Sequence, residues 1–226
     1  MVIIEFCGTP GCGKTTVCDR IEEELQQQGI RVRNLQKRGT PTTYTDRLKE
    51  KMERIRFRNY CPNRRLKKAL EVLMNYYDRD SLIHWPDRIL ESFYRTKKAE
   101  KDGIEIGLFD EGCMQFITSV FHEKEIPKEI QSVVDSICEE LYCGRALFFD
   151  CYIDLTENYE RLEKRDKPKD RFLAGSREEN LALLKLKRER IDTVLGMLNG
   201  YTIMRIEGTD TEQAVNRILE AIKQRL

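Results

Sequence analysis

The chain has 226 residues, 40% hydrophobic and 35% charged, with 40 Lys and Arg set against 39 Asp and Glu for a formal net charge of +1. That length buries one substantial core, and the charge balance excludes both a polybasic nucleic-acid binder and an acidic tail protein. No apolar run approaches the roughly 20 residues of a membrane span, and Met1 leads straight into an apolar stretch with neither basic leader nor cleavage site, so a soluble cytoplasmic protein is expected.

The first strand is expected over residues 2–7, VIIEFC, and residues 8–15 follow as GTPGCGKT. This is the complete phosphate-binding pattern G-x-x-x-x-G-K-[ST], in the strand, loop, helix order that its chemistry needs. Gly8, Gly11 and Gly13 let successive backbone N–H groups turn inward on phosphate oxygens, where a Cβ would crowd the bend. Lys14 would reach the β- and γ-phosphates, and Thr15 would place its hydroxyl on Mg²⁺. The expected nucleotide-binding set is therefore Gly8, Thr9, Pro10, Gly11, Cys12, Gly13, Lys14, Thr15 and the adjoining Thr16. A charged helix continues to Gln28 with Val17, Ile21 and Leu25 on one face, and Gly29 ends it.

A second strand is expected over 31–36. Residues 44–101 then read as two or three helices, punctuated by Pro62, Asp80-Ser81 and Pro86. Basic charge gathers at residues 45–68, with ten Lys or Arg against three acids. Such a run reads either as a solvated helix face or as a site for an anionic acceptor. Tyr44, Phe57, Tyr60, Tyr76 and Tyr77 lie in or near it, as base stacking would want, although aromatics at this spacing also serve as core.

The third strand, 105–109, closes on Asp110 and Glu111. In an open parallel sheet ligands sit beyond the carboxyl ends of the strands, so this acid pair is expected beside the phosphate loop. Phosphoryl transfer needs a Mg²⁺ anchor and a group that orients or deprotonates the attacking oxygen. Asp110, with Thr15, suits the metal and Glu111 the acceptor side, with the reverse assignment open. After a fourth strand, 146–153, come Arg161 and Arg165, four apart and on one face if the helix persists. Arg171 follows beyond a proline-containing segment. Residues 161–176 are thus expected to form a lid whose arginines close around the migrating phosphoryl group. A fifth strand, 201–206, and a closing helix, 211–225, complete the chain.

Eight cysteines occur without a C-x-x-C pair, and the chain has only two histidines, so free thiols are expected rather than disulfides or zinc. Cys12 stands apart because Lys14 and the inward N–H groups can lower its pKa and make it reactive. The alternation of apolar strands with helices predicts a single domain over 1–226: a three-layer α/β/α fold with a five-stranded parallel sheet and a helical insertion at 44–101.

GTPGCGKT, the DEG after the third strand, the R-x-x-x-R with DRF of the lid segment, and Ile206-Glu207-Gly208-Thr209 together resemble the small P-loop nucleoside and nucleotide kinases, with an arrangement similar to thymidylate kinase. The resemblance implies a P-loop NTPase fold, ATP and Mg²⁺ as cofactors, Gly208 and Thr209 near the adenine base, and a homodimer as one expected assembly. It covers the donor half, residues 1–36 and 105–226. The acceptor half departs from it: thymidylate kinases carry an E-P-G-like segment after the second strand and D-R-[YHS] after the third, where this chain has QKRGTP and DEGC. The loop wording is also similar to adenylate kinases, but their D-G-x-P-R run is missing.

The expected function is thus transfer of the γ-phosphoryl of ATP to a small nucleotide, nucleoside or other hydroxyl or phosphate acceptor. The alternatives are a nucleic-acid end kinase, against which the near-neutral total charge argues, and a regulatory nucleotide-binding P-loop protein, against which the intact Lys14, Thr15 and Asp110 argue. A signalling GTPase would need N-K-x-D after the fourth strand, where Asp154-Leu155-Thr156 stands.

Overall fold

A computed structural model describes residues 1–37, 52, 55, 63–77, 85–121, 124–165, 171–207 and 210–225. Five strands form one parallel sheet: β1 (Val2–Cys7), β2 (Val32–Asn34), β3 (Ile106–Phe109), β4 (Ala146–Tyr152) and β5 (Thr202–Glu207), in the order β2-β3-β1-β4-β5. All five expected strands are present, each within a residue or two of its expected bounds. The shortest is β2, three residues that pair only with β3 at one edge of the sheet.

Strand alternation explains the two cores. Ile3 and Cys7 point to one face, which α2 (Arg64–Met74), α3 (Trp85–Lys101), α4 (Cys113–Val120), α5 (Ile130–Ile137) and α7 (Arg177–Gly196) cover. Ile4 and Phe6 point to the other, covered by α1 (Lys14–Gln27) and α8 (Thr211–Lys223), which lie side by side. The result is the expected three-layer arrangement, with β1 flanked on both sides and the inner strands β3, β1 and β4 reading as near-continuous apolar runs. Helix α6 (Leu155–Glu163), with Tyr159 and Leu162, joins Phe172 and Leu184 in a smaller cluster.

Glu5 breaks the apolar run of β1 and is fully buried on the same face as Ile3. Its carboxylate accepts from the Met114 N–H at 2.8 Å and the Gln115 N–H at 3.4 Å in the first turn of α4, and from the Tyr142 hydroxyl. A negative group at a helix N-terminus is favourable, yet burial dominates and raises the Glu5 carboxyl from its ordinary 4.5 to about 7, the hydrogen bonds from Tyr142, Met114 and Gln115 pulling the other way. A folded pKa above the unfolded one means a contribution that is full below about pH 4.5 and is lost as pH climbs through 7. The loss is on the order of 3 kcal/mol. Glu5→Gln is therefore expected to flatten the fall in unfolding free energy between pH 5 and 8, measured by denaturant titration. An unchanged pH slope would mean that Glu5 ionises as readily in the core as in water.

Seven cysteines lie among the described residues and all are free thiols, as the sequence predicts. Among the described residues no helix is long and apolar enough to cross a membrane.

Candidate active site

The phosphate loop leaves β1 at the centre of the sheet. Gly11 and Gly13 adopt φ values of +90° and +92°, a region that L side chains rarely enter, so the glycines are required by the turn itself. A Cβ on Gly11 would stand 2.6 Å from Asn158 Nδ2 and 3.0 Å from Leu162. Asn158, on α6, braces the loop from that side. Its Nδ2 donates to the Pro10 carbonyl and its Oδ1 accepts from the Thr9 hydroxyl, both at 2.5 Å. At Gly13 the space is open, the nearest atom to such a Cβ being Arg161 Nη1 at 4.0 Å. Helix α1 begins directly after this glycine, and its first turn leaves backbone N–H groups that no helical carbonyl can satisfy.

Lys14 is folded back on its own loop, donating to the Gly8 carbonyl at 2.9 Å and the Thr9 carbonyl at 3.0 Å. Burial pulls its pKa down, but the Cys12 sulfur and the Glu111 carboxylate outweigh that and hold the ammonium above its ordinary value. Cys12 is buried with its Sγ 3.8 Å from the Lys14 amine. Thr15 and Thr16 are exposed at the start of α1.

Ninety-five residues on in the chain, β3 delivers the acid pair to the same place. The Thr15 hydroxyl donates to Asp110 Oδ2 at 3.3 Å. Burial, then the neighbouring Glu111 charge, raise the Asp110 carboxyl above its ordinary value, while the Thr15 hydrogen bond opposes them. Glu111 is exposed beside it. Gly112 has no room for a side chain, since a Cβ there would meet the Glu5 carboxylate at 2.3 Å, so the buried Glu5 fixes the turn that presents the acid pair. A hydroxyl and a carboxylate facing each other at the end of a strand form a hard-oxygen donor set. Among the described residues no cluster of three or more His, Cys, Asp or Glu offers an all-protein cage. The Thr15 hydroxyl and Asp110 carboxylate are oxygen donors of the kind Mg²⁺ takes, its remaining ligands being waters and phosphate oxygens.

Of the arginines expected to form a lid, Arg161 is beside the loop, its guanidinium held by Glu157 at 2.8 Å. Arg165 does not share its face: α6 ends at Glu163, so Arg165 falls in the turn beyond the helix and is exposed. The early stop follows from a chain that turns after Lys164, with the Arg165 N–H reaching only to the Leu162 carbonyl. Arg171 opens a short 3-10 turn, Arg171–Leu173, and its side chain lies outside the described residues, as do Gly208 and Thr209.

Most of the basic stretch 45–68 also lies outside the described residues. Its described end, Arg64, Arg65, Lys67 and Lys68, is the exposed face of α2, whose other face buries Leu66, Leu70 and Leu73. These four cations are a solvated helix face, and Arg65 is paired with Glu139. Next to the end of β2, α3 buries Glu91 between Arg88 at 3.2 Å and Arg95 at 2.7 Å, and Arg95 also donates to the Leu35 carbonyl at 2.6 Å.

Sequence reasoning missed three side chains that shape this site: Glu5, Gln115 and Asn158. Only Glu5 carried a signal, a charge inside an apolar strand. The others meet the loop from 107 and 148 residues away.

The sequence pattern of the AAA domain family matches residues 4–182, most of the chain. No curated protein matches it in sequence. Among solved structures it is similar to a shikimate kinase from Bacteroides thetaiotaomicron, with 13% identity and a TM-score of 0.51 over 98% of both chains. It is also similar to a deoxyadenosine kinase from M. mycoides solved with bound dATP, with 12% identity and a TM-score of 0.49 over 99% of this chain and 100% of that one. At such identities the likeness is one of fold, and the fold is that of the P-loop kinases.

Proposed function

The chain belongs to the AAA domain family, and on that premise we propose that it is an ATP-dependent phosphotransferase, moving the γ-phosphoryl group to a small nucleotide, nucleoside or other hydroxyl or phosphate acceptor. The observation that carries this reading is the 3.3 Å contact of Thr15 with Asp110. It joins a complete phosphate loop to a strand-end acid pair, the two parts that phosphoryl transfer needs in one place. The shared fold with a small-molecule kinase supports it.

Each residue then has a role. The loop N–H groups and Lys14 hold the β- and γ-phosphates. Thr15 and Asp110 hold Mg²⁺, whose chemistry here is to neutralise charge on the phosphate oxygens. Glu111, exposed next to them, accepts the proton of the attacking hydroxyl or orients a phosphate acceptor. Arg161 adds positive charge where the phosphoryl group is loosest, and the acceptor lies beyond the end of β2, beside α3. A cytosolic setting follows from the donor, since ATP and free thiols belong together there.

An ATP-consumption screen over nucleosides, nucleoside monophosphates and sugars tests the reading, and turnover with one acceptor class is the expected result. Glu111→Gln is expected to slow that turnover about 100-fold while leaving ATP affinity within a few-fold. If ATP affinity collapses instead, Glu111 belongs to the metal site. If no acceptor supports consumption, the phosphotransferase reading fails.

A further inference from the structure

The first residue of the phosphate loop is gripped from outside the loop. Gln115 on α4 is 4% exposed; its Oε1 accepts from the Gly8 N–H at 3.3 Å, and its Nε2 donates to the Gly8 carbonyl at 3.2 Å. The pair fixes the orientation of the amide, because the flipped group would set donor against donor. Gly8 cannot brace itself with a side chain, since a Cβ there would lie 2.5 Å from the Cys151 carbonyl and 2.6 Å from Cys12 Sγ.

Gln115 is itself anchored at every backbone group. Its N–H donates to Glu5, and its carbonyl accepts from the hydroxyls of Thr118 at 2.8 Å and Ser119 at 3.0 Å. The buried Lys187 of α7 donates to both hydroxyls in turn, at 2.5 and 3.0 Å.

The consequence concerns Lys14. Its three protons are on the Gly8 and Thr9 carbonyls and, more weakly, on Cys12 Sγ, so donating to both a β- and a γ-phosphate oxygen means releasing at least one of the carbonyls. A buried carbonyl stripped of its donor carries a penalty that resists the move. The Thr9 carbonyl keeps the Cys12 N–H at 3.3 Å, and the Gly8 carbonyl keeps Gln115 Nε2. We propose that Gln115 is a positioning residue that acts through Gly8 and Lys14: it keeps the Gly8 carbonyl satisfied and so frees the Lys14 ammonium for β- and γ-phosphate oxygens. The inference rests on the reading of the loop as a nucleotide site.

The test is MgADP binding to the full chain by titration calorimetry, with thermal melting as the check on folding. Gln115→Met keeps the length and removes both hydrogen bonds, and is expected to weaken MgADP about tenfold. Gln115→Glu keeps the bond from the Gly8 N–H but offers the carbonyl no donor once ionised. It is expected to weaken binding at least as much, and decides the matter if the Met variant does not fold. Because Gln115 acts through Lys14, adding Gln115→Met to Lys14→Ala is expected to change affinity by less than about threefold, a non-additivity that general loosening of the loop would not produce. MgADP affinity of Gln115→Met within twofold of wild type, or losses that add in the double variant, overturns the inference. A wild-type chain that binds no MgADP overturns the phosphotransferase reading and this inference with it, a failure visible before any variant is made.

Discussion

Lys14→Ala is expected to lower ATP turnover about 1,000-fold while the protein stays folded with a cost of about 1 kcal/mol. The catalytic loss follows from removing the buried cation of the loop, which Cys12 and Glu111 hold in its charged form, from the place where phosphate charge builds up. The small stability cost follows from the hydrogen bonds. Lys14 is also part of the loop's internal structure, bonded to two of its carbonyls. Both carbonyls keep another donor when it is gone, Gln115 Nε2 for Gly8 and the Cys12 N–H for Thr9. Steady-state turnover with the acceptor found by screening, alongside thermal melting, separates the two effects. Turnover within tenfold of wild type would remove Lys14 from the phosphate site. Unfolding would mean that its place in the loop outweighs its place in the chemistry.

Gly11→Ala is expected to be worse for stability and as damaging to binding. An L side chain at φ +90° costs about 1–2 kcal/mol, and its Cβ would stand 2.6 Å from Asn158 Nδ2, the atom that holds the Pro10 carbonyl. Losing that hydrogen bond adds about 1 kcal/mol, and Leu162 of the same helix, at 3.0 Å, is a second collision, so relief would require α6 as a whole to shift. A total of roughly 2–3 kcal/mol follows from these parts, with MgADP affinity reduced about 100-fold because the N–H groups no longer converge. Gly144 supplies the control. It has φ +72° and nothing within 4 Å of a Cβ, so Gly144→Ala carries backbone strain without the collision. Equal losses of stability in the two variants would show that strain alone governs Gly11 and that the brace from Asn158 is unimportant.

These two residues are legible in the sequence because the phosphate loop is a local device: eight consecutive residues contain its glycines, its cation and its hydroxyl. The strands are legible for a similar reason, each being a short continuous apolar run between breakers. Strand order is different, since it depends on which runs pair, and no apolar run names its neighbour. The same limit hides Gln115 and Asn158, ordinary polar residues until the chain folds them onto Gly8 and Pro10. Arg165 shows the reverse case. Its spacing from Arg161 suits a shared helix face, but periodicity does not say where a helix stops, and this one stops at Glu163. The start of α7 is a local device too, since Ser176 and Glu179 form a capping box whose S-x-x-E spacing stands in the sequence.

The order β2-β3-β1-β4-β5 gives the molecule a division of labour. The three adjacent inner strands, β3, β1 and β4, end in the acid pair, the phosphate loop and the segment leading to Arg161. On the proposed reading, the parts that handle the donor's phosphates are thereby locked to the most constrained part of the sheet. β2, three residues long, is bonded on one side only, and from it departs the segment assigned to the acceptor. Lengthening or shortening the connection that leaves an edge strand disturbs a single ladder, whereas the same change after β1 or β3 would disturb two. On the proposed reading, a lineage built on this plan can therefore exchange its acceptor while inheriting its donor site.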